Sequence, residues 1–414
     1  DIFVAKKNSL GEWIWANSAG GSNSDYSRDI IVTEDNDIYI VGYVYNQVKF
    51  GNITLNCQNN SELFVAKLDS NGKWLWANIA TQGGFDRANS IVYKNGFCYV
   101  TGNFEETINF GTITLTSNGS RDIFVAKIDK DGNWIWAVKG GSSSSDDSYS
   151  IALNNNKILI GGYFSDNASF GSINLSSAGG RDALVASLDT NGNWLFAKRA
   201  GSNVNDEISS LCVSTNGHIY VAGYYSKSFS IDTFNLTNTT NRDLWFAKLS
   251  NNGNWIWVKT ANGSGNDNVY KIFSKNNKIY VSGGFETELY FGTIHLTGSS
   301  TRRSFYAILD ENGNFQLANS LNGNSTNDCY SISIDNNKRI YLTGQFFDKI
   351  IINSIEFTSK GDSDFYTITL DSNYNYIDFD VFGAFRGIVC HNDSEIDKNG
   401  NLIVAGYFYG KVVF

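Results

Sequence analysis

Apolar and polar residues alternate along this chain in bursts of five to eight positions, rich in Val, Ile, Tyr, Phe and Trp and closed each time by Asn, Asp or Gly. A period of two in such residues predicts half-buried strands, and no stretch of useful length carries the spacing of a helix. The bursts also recur at long range. An element like "FVAK" begins at Phe3, Phe64, Phe124, Leu184, Trp245, Phe305 and Phe365, at intervals of 60 or 61 residues. A second element, apolar residues running into glycine, keeps step with it at Gly42, Gly102, Gly162, Gly223, Gly283, Gly344 and Gly406.

Each period reads as two hairpins. "FVAKLDSNGKWLW" is the first, with turn residues such as Asn71 and Gly72, Asp131 and Gly132, or Asn191 and Gly192 that tolerate positive φ. The second has an inner strand around Ile30, Ile91, Ile151, Leu211, Ile272 and Ile332, then a turn such as Asn216 and Gly217, then the strand "IYVAG". Four strands make one propeller blade. The expectation is an all-β, seven-bladed propeller of about 60 residues per blade, longer than the roughly 40 to 45 of a WD-type blade. The surplus is the segment "VKFGNITLNCQNN" and its echoes, read as an extra strand or hairpin where the individuality of the protein could reside. The chain opens on one hairpin type and closes on the other. Residues 1–17 are therefore expected to supply the outer hairpin of a blade completed by 385–414, within a single domain 1–414.

An Asp-containing loop, an inner strand, a strand like "NGHIYVAGYY" and then "RDIFVAKIDKDGNWIWA" together resemble the bacterial seven-bladed beta-propeller repeat, the SBBP type. The resemblance spans essentially the whole chain. It implies secreted or cell-surface proteins, in which such propellers are modules of large chains, and it implies no defined enzymatic activity. Two late segments, "NGNFQLA" and "SNYNYIDFD", lack the tryptophans, and "FGAFRGIVCHNDSEID" blurs the last loop.

The repeated residues carry two readings each. Trp13 and Trp15, Trp74 and Trp76, Trp134 and Trp136, and Trp255 and Trp257 alternate on an outer strand, so each pair faces one side. They could stack on sugars, but interblade packing is expected, each ring burying roughly 150 to 250 Å². Asp25, Asp86, Asp146, Asp206, Asp267 and Asp328 follow Gly/Ser/Asn loops just before the inner strand, the address of a propeller's channel mouth. They are the candidate ligand-binding residues, for a polar ligand or Ca²⁺. The alternative, favoured by repetition, is that each caps backbone N–H groups of its own loop. Arg121, Arg181, Arg242 and Arg303 repeat before the "FVAK" strands and are expected to pair at the surface or between blades. The "DxNG" turns lack the later acidic ligand of a calcium loop.

Catalytic signatures are absent from the motifs. His218, His295 and His391 are nonequivalent, no GxSxG or HExxH occurs, and Glu105 and Glu286 lie in blades too far apart for a glycosidase pair. The expectation is accordingly not an enzyme and no cofactor, Ca²⁺ being the one alternative. Five cysteines without a CxxC pair read as small buried residues. Forty-one acidic against 32 basic residues, net charge −9, argue against nucleic acid, and no apolar stretch is long enough to insert in a membrane as a helix. Ten Asn-x-Ser/Thr sequons, including Asn52, Asn118, Asn174, Asn235 and Asn262, are open to glycosylation in a host that attaches glycans. The start at Asp rather than Met points to a piece of a longer parent with further domains. The functional expectation is an extracellular or cell-surface recognition and adhesion module for a glycan or protein partner. The alternatives are a structural subunit of a surface layer, fibre or appendage, and, remotely, a propeller hydrolase or lyase.

Overall fold

The structure of the chain, a computed structural model, describes residues 1–82, 84–237 and 242–412, and of residues 58–60, 384–386 and 391 the backbone alone. Among the described residues no helix occurs, and the chain is all-β. Local chemistry makes the hairpins. Gly72, Gly132 and Gly192 stand at φ 84°, 89° and 89°, a backbone region in which a side chain is strained. Three residues earlier an Asp closes the loop on itself: Asp69 accepts the N–H groups of Asn71 and Lys73, both at 2.9 Å. Asp129 and Asp189 do the same, so these turns need no ion.

One antiparallel order of inner, second, third and outer strand recurs along the chain. In the first unit it is Tyr26–Val32, Ile38–Phe50, Ile53–Leu68 and Trp74–Ile79. The second is Arg87–Lys94, Phe97–Phe104, Asp122–Asp129 and Trp134–Gly141. Four more units begin at Asp147, Glu207, Asn268 and Asn327. The long strand Tyr376–Ile396 serves two units, pairing through its first half with Ile355–Leu370 and through its second with Leu402–Val412. Leu402–Val412 then takes Ile2–Lys7 as its other neighbour, with Ile2 opposite Tyr407 and Lys7 opposite Leu402, and Trp13–Gly21 lies outside. Both ends of the chain thus share one four-stranded unit. The Asp1 ammonium group fixes the junction by donating to the Phe408 carbonyl at 2.9 Å.

The apolar cores lie between units: Tyr39 and Val41 of the first pack with Val100, Phe124 and Ile128 of the second. Three repeated polar contacts add direction to this packing. Near the centre, a backbone N–H of one inner strand donates to a side chain of the preceding one, as Ile91 does to Asp29 at 2.8 Å and Leu211 to Ser150 at 3.1 Å. At the periphery, the second tryptophan of each pair donates to the turn of the next unit, Trp76 to the Lys130 carbonyl at 2.9 Å and Trp257 to that of Glu311 at 3.0 Å. The Trp76 ring also lies on Gly132, so the glycine serves both the turn and the approach of its neighbour. The extra hairpin reaches back to the outer strand of the preceding unit, placing Phe170 opposite Gly140 and Phe50 opposite Ala19. The first tryptophans rest on these hairpins, as Trp134 does edge-on to Phe110 at 4.9 Å. The surplus segment is therefore first a staple between units.

One junction departs from this plan. Register puts Asp378 where other units have the second tryptophan and Lys7 where they have Leu68, Ile128 or Leu188. Lys7, only 3% exposed, reaches Asp378 at 2.7 Å and also Asp380, so an ionic contact replaces an aromatic one. Two predictions follow from these latches, both read by equilibrium urea unfolding. Trp76→Ala is expected to cost about 3 kcal/mol. Lys7→Ala, which leaves two carboxylates facing one another, is expected to cost about 2 kcal/mol, and the pair Lys7→Leu with Asp378→Trp to recover the loss.

Candidate functional site

Asp25, Asp86, Asp146, Asp206 and Asp267 occupy one position, the loop residue just before the inner strand, and all are buried. Each carboxylate accepts a backbone N–H near the end of the second strand of its unit. The donors are Tyr45 at 3.1 Å, Glu105 at 3.0 Å, Ser165 at 2.8 Å, Ser226 at 2.9 Å and Glu286 at 3.1 Å. Asp146 and Asp206 also accept the N–H and hydroxyl of Ser142 and Ser202. Burial pushes Asp86 up to about 8, Asp146 to about 7, Asp206 to about 7 and Asp267 to about 8, against the pull of these N–H groups. Asp328 is not brought together with the five. Asn327 takes its loop position, accepting the Ser304 N–H at 2.8 Å, and Asp328 stands one residue further on, accepting the Tyr270 hydroxyl at 3.1 Å.

The structure gathers a different set around a cavity of about 540 Å³. One register position of every inner strand faces it: Arg28, Asn89, Tyr149, Ser209, Tyr270, Tyr330 and Asn392. These residues differ from unit to unit, while two positions on the chain repeats Ile30, Ile91, Ile151, Leu211, Ile272 and Ile332. A search for repetition passes over them; their variation inside a repeated strand was the available signal. Arg87, Arg121, Asp147, Tyr163, Arg181 and Glu207 complete the wall.

Arginine dominates its electrostatics. The Arg28 and Arg87 guanidinium groups lie 5.3 and 4.9 Å from the centre of one ring, Tyr43, and Arg181 lies 4.4 Å from that of Tyr163. Arg121 is paired with Glu105 at 2.9 Å. The residue equivalent to Arg121, Arg181 and Arg242 is Arg302, whose carbonyl accepts the Asn327 N–H as theirs accept those of Asp146, Asp206 and Asp267. Arg303 turns instead to the Gly323 carbonyl and the Ser299 hydroxyl. Burial pushes Asp147 up to about 6, with the Asn103 amide and Arg121, Arg87 and Arg28 pulling it down. Burial likewise takes Glu207 to about 7, opposed by the Tyr224 hydroxyl, Arg242 and Arg181.

One residue further along the inner strands the serines of the repeat give way to Asp29, Lys271 and Asp393. Lys271 meets Asp393 at 2.7 Å, and Ser331 donates to the other oxygen at 2.8 Å. Burial and the neighbouring Asp393 hold Asp29 well above the usual carboxylate range, while Lys271 holds Asp393 down against its own burial. Asp25 borders a separate recess of about 950 Å³ walled by the two chain ends, including Asp1, Tyr45 and Tyr409.

The remaining candidates stay apart. Glu105 and Glu286 are each engaged by an arginine, Arg121 and Arg302. His295 stacks on Tyr290 at 4.2 Å, His218 lies in a turn, and the His391 side chain is outside the described residues. Among the described residues no three metal-ligating side chains cluster, and the five cysteines form no disulfide, Cys98, Cys329 and Cys390 being buried and Cys57 and Cys212 partly so.

No family model matches the chain. Over 210 residues it is 27% identical to the "Regulatory protein FlaEY" of Caulobacter vibrioides, covering 47% of this chain and 22% of that one. Over 225 residues it is 23% identical to the "Uncharacterized WD repeat-containing protein L264" of Acanthamoeba polyphaga mimivirus, covering 46% and 16%. The chain therefore spans about a fifth of the length of the curated relatives it matches. Among solved structures it is similar to the extracellular domain of BT4673 from B. thetaiotaomicron, with 12% identity, TM-score 0.39, and coverage of 94% of this chain and 38% of that one. It is also similar to an apocarotenoid oxygenase from Synechocystis, with 11% identity, TM-score 0.38, and coverage of 70% and 60%. A Trypanosoma rangeli sialidase in complex with sialic acid gives 12% identity, TM-score 0.38, and coverage of 82% and 56%. The chain is all-β and built from a repeated four-stranded antiparallel unit. The expectation that it is not an enzyme is corrected: structures of similar build include the oxygenase and the sialidase, so this architecture gives no ground for excluding catalysis.

The buried loop carboxyls generate a pH prediction. An unfolded chain releases these protons near pH 4, as ordinary carboxyls do, whereas the folded chain holds those of Asp86, Asp146, Asp206 and Asp267 until about 7 to 8. Their contribution is full below the unfolded value and is lost as pH rises through the folded ones. The melting temperature is expected to fall from pH 5 to pH 8, with a shallower slope in Asp146→Asn and Asp206→Asn variants, measured by calorimetry.

Proposed function

We propose that the chain is a closed, seven-bladed propeller of SBBP type that acts outside the cell or at its surface and binds a glycan in the mouth of its central channel. The observation that carries the reading is one cavity of about 540 Å³ to which the same register position of each inner strand contributes side chains of four types, Arg, Asn, Tyr and Ser. A ring that only repeated itself would repeat there too. The pairing of Ile2–Lys7 with Leu402–Tyr407 supports closure, since it joins the two chain ends in one blade. Tyr149, Tyr270 and Tyr330 offer ring faces for sugar, and Asn89, Ser209 and Asn392 offer hydroxyl partners.

A second reading, hydrolysis of that glycan, is favoured by Asp147 and Glu207, two carboxyls in the same wall pushed up to about 6 and 7, in the range suited to general acid and base. A glycan array on the whole chain, followed by titration calorimetry, tests the first reading. Tyr270→Ala is expected to weaken the best array hit at least tenfold, and an array blank with the wild type counts against glycan recognition. Product analysis of that hit, with Glu207→Gln as the comparison, decides the second. A chain that instead captures a protein, or that assembles with concentration in light scattering, belongs to the partner-binding or structural alternatives.

A further inference from the structure

The wall of the channel mouth carries more positive charge than it can use. Arg28, Arg87, Arg121 and Arg181 face Asp147 and Glu207, in a chain whose net charge is −9. Arg121 has Glu105, but among the described residues no carboxylate lies within 4.0 Å of Arg28, Arg87 or Arg181. Their guanidinium groups are held by tyrosines instead, two of them over the ring of Tyr43, whose hydroxyl also accepts an Arg28 N–H at 3.5 Å. Stacking fixes the plane of a guanidinium and leaves its N–H fork free. Moreover, the Nε atoms of Arg28, Arg87 and Arg121 are buried without a hydrogen-bond partner. Two like charges sharing one ring, with donors left unused in a walled cavity, ask for an anion.

We propose that the bound glycan is acidic: its carboxylate or sulfate is gripped between Arg28 and Arg87, with Arg121 at its flank, and its sugar ring rests against Tyr149 and Tyr270. This rests on the channel-mouth reading above. A guanidinium fork matches a planar or tetrahedral oxyanion with two parallel bonds, a geometry that neutral hydroxyls do not need. The cavity, about 540 Å³, lies in the range of sites for small organic ligands, so a bare inorganic anion would leave most of it and its tyrosine walls unused.

The test is calorimetric titration of the whole chain with three probes: a galacturonate trisaccharide, a sulfated disaccharide of the heparin type, and neutral maltotriose. At least one acidic probe is expected to bind tenfold or more tighter than the neutral one, and which of the two does so identifies the anion. That preference is expected to shrink as salt rises from 0.05 to 0.5 M, a measurement that needs no variant. Arg28→Gln with Arg87→Gln, its fold checked by circular dichroism, is expected to bring acidic and neutral probes to equal affinity. Equal or tighter binding of the neutral probe by the wild type overturns the acidic ligand and leaves glycan recognition standing. Failure of all three probes, together with a blank array, overturns both.

Discussion

Each unit of this fold has sheet faces that only its neighbours can cover, and everything else follows from that dependence. A four-stranded sheet with Val41 and Val65 on one face and Ile40 and Phe64 on the other is apolar on both sides. A row of such sheets would end in two exposed faces. The chain meets the requirement with the pairing of Ile2–Lys7 and Leu402–Tyr407, which builds one unit from both ends, so that Val4 packs with Ile40 and Phe3 with Phe365. The contacts that set direction, tryptophan onto turn and hairpin onto outer strand, all run between neighbours. Local turn chemistry builds the units, but burial is completed only between them.

Because the scaffold repeats, departures from repetition become informative. Most are conservative and keep the packing: Phe196 stands in for a tryptophan on Gly253, and Leu317 takes the same place in the fifth unit. Two are not. Lys7 with Asp378 and Asp380 makes one junction ionic where its equivalents are apolar or aromatic. Asp29, Lys271 and Asp393 put charge among the serines that bridge the inner strands elsewhere. Buried ion pairs of this kind contribute little net stability against an apolar equivalent but cost heavily when one partner is removed. Their effect is to distinguish units that would otherwise be interchangeable: the first lies at the unit made from the chain ends, and the second joins that unit to the fifth through Lys271 and Asp393.

The strand pattern, hairpin turns and period were legible in the sequence because each is enforced by local physics: alternation by the pleat, positive φ by Asn and Gly, spacing by the need to repeat one packed unit. The tryptophans were legible as packing for the same reason. The acidic set was legible only in part. Five members share a place, but Asp328, also buried, stands one step along, because spacing to the next apolar residue does not fix register to within one residue. The cavity wall was legible only as variation inside a repeated strand. Arg28, Asn89, Tyr149 and Ser209 have nothing in common as residue types, and only register in the folded sheet reveals that they share a face.

This contrast bears on where chemistry can arise in such a repeat. The repeated carboxylates of Asp86, Asp146, Asp206 and Asp267 are each committed to a backbone N–H, so altering one loosens the junction between a loop and its strand. The lining position is committed less uniformly: Asn89 and Asn392 donate to the Ser148 and Ser27 carbonyls of a neighbouring unit and Tyr270 to Asp328, while the residue type varies along the chain. Positive charge collects at Arg28, at Arg87 at the head of an inner strand, and at Arg121 and Arg181 before third strands, in a protein of net charge −9. There the low-dielectric wall strengthens the field of these groups.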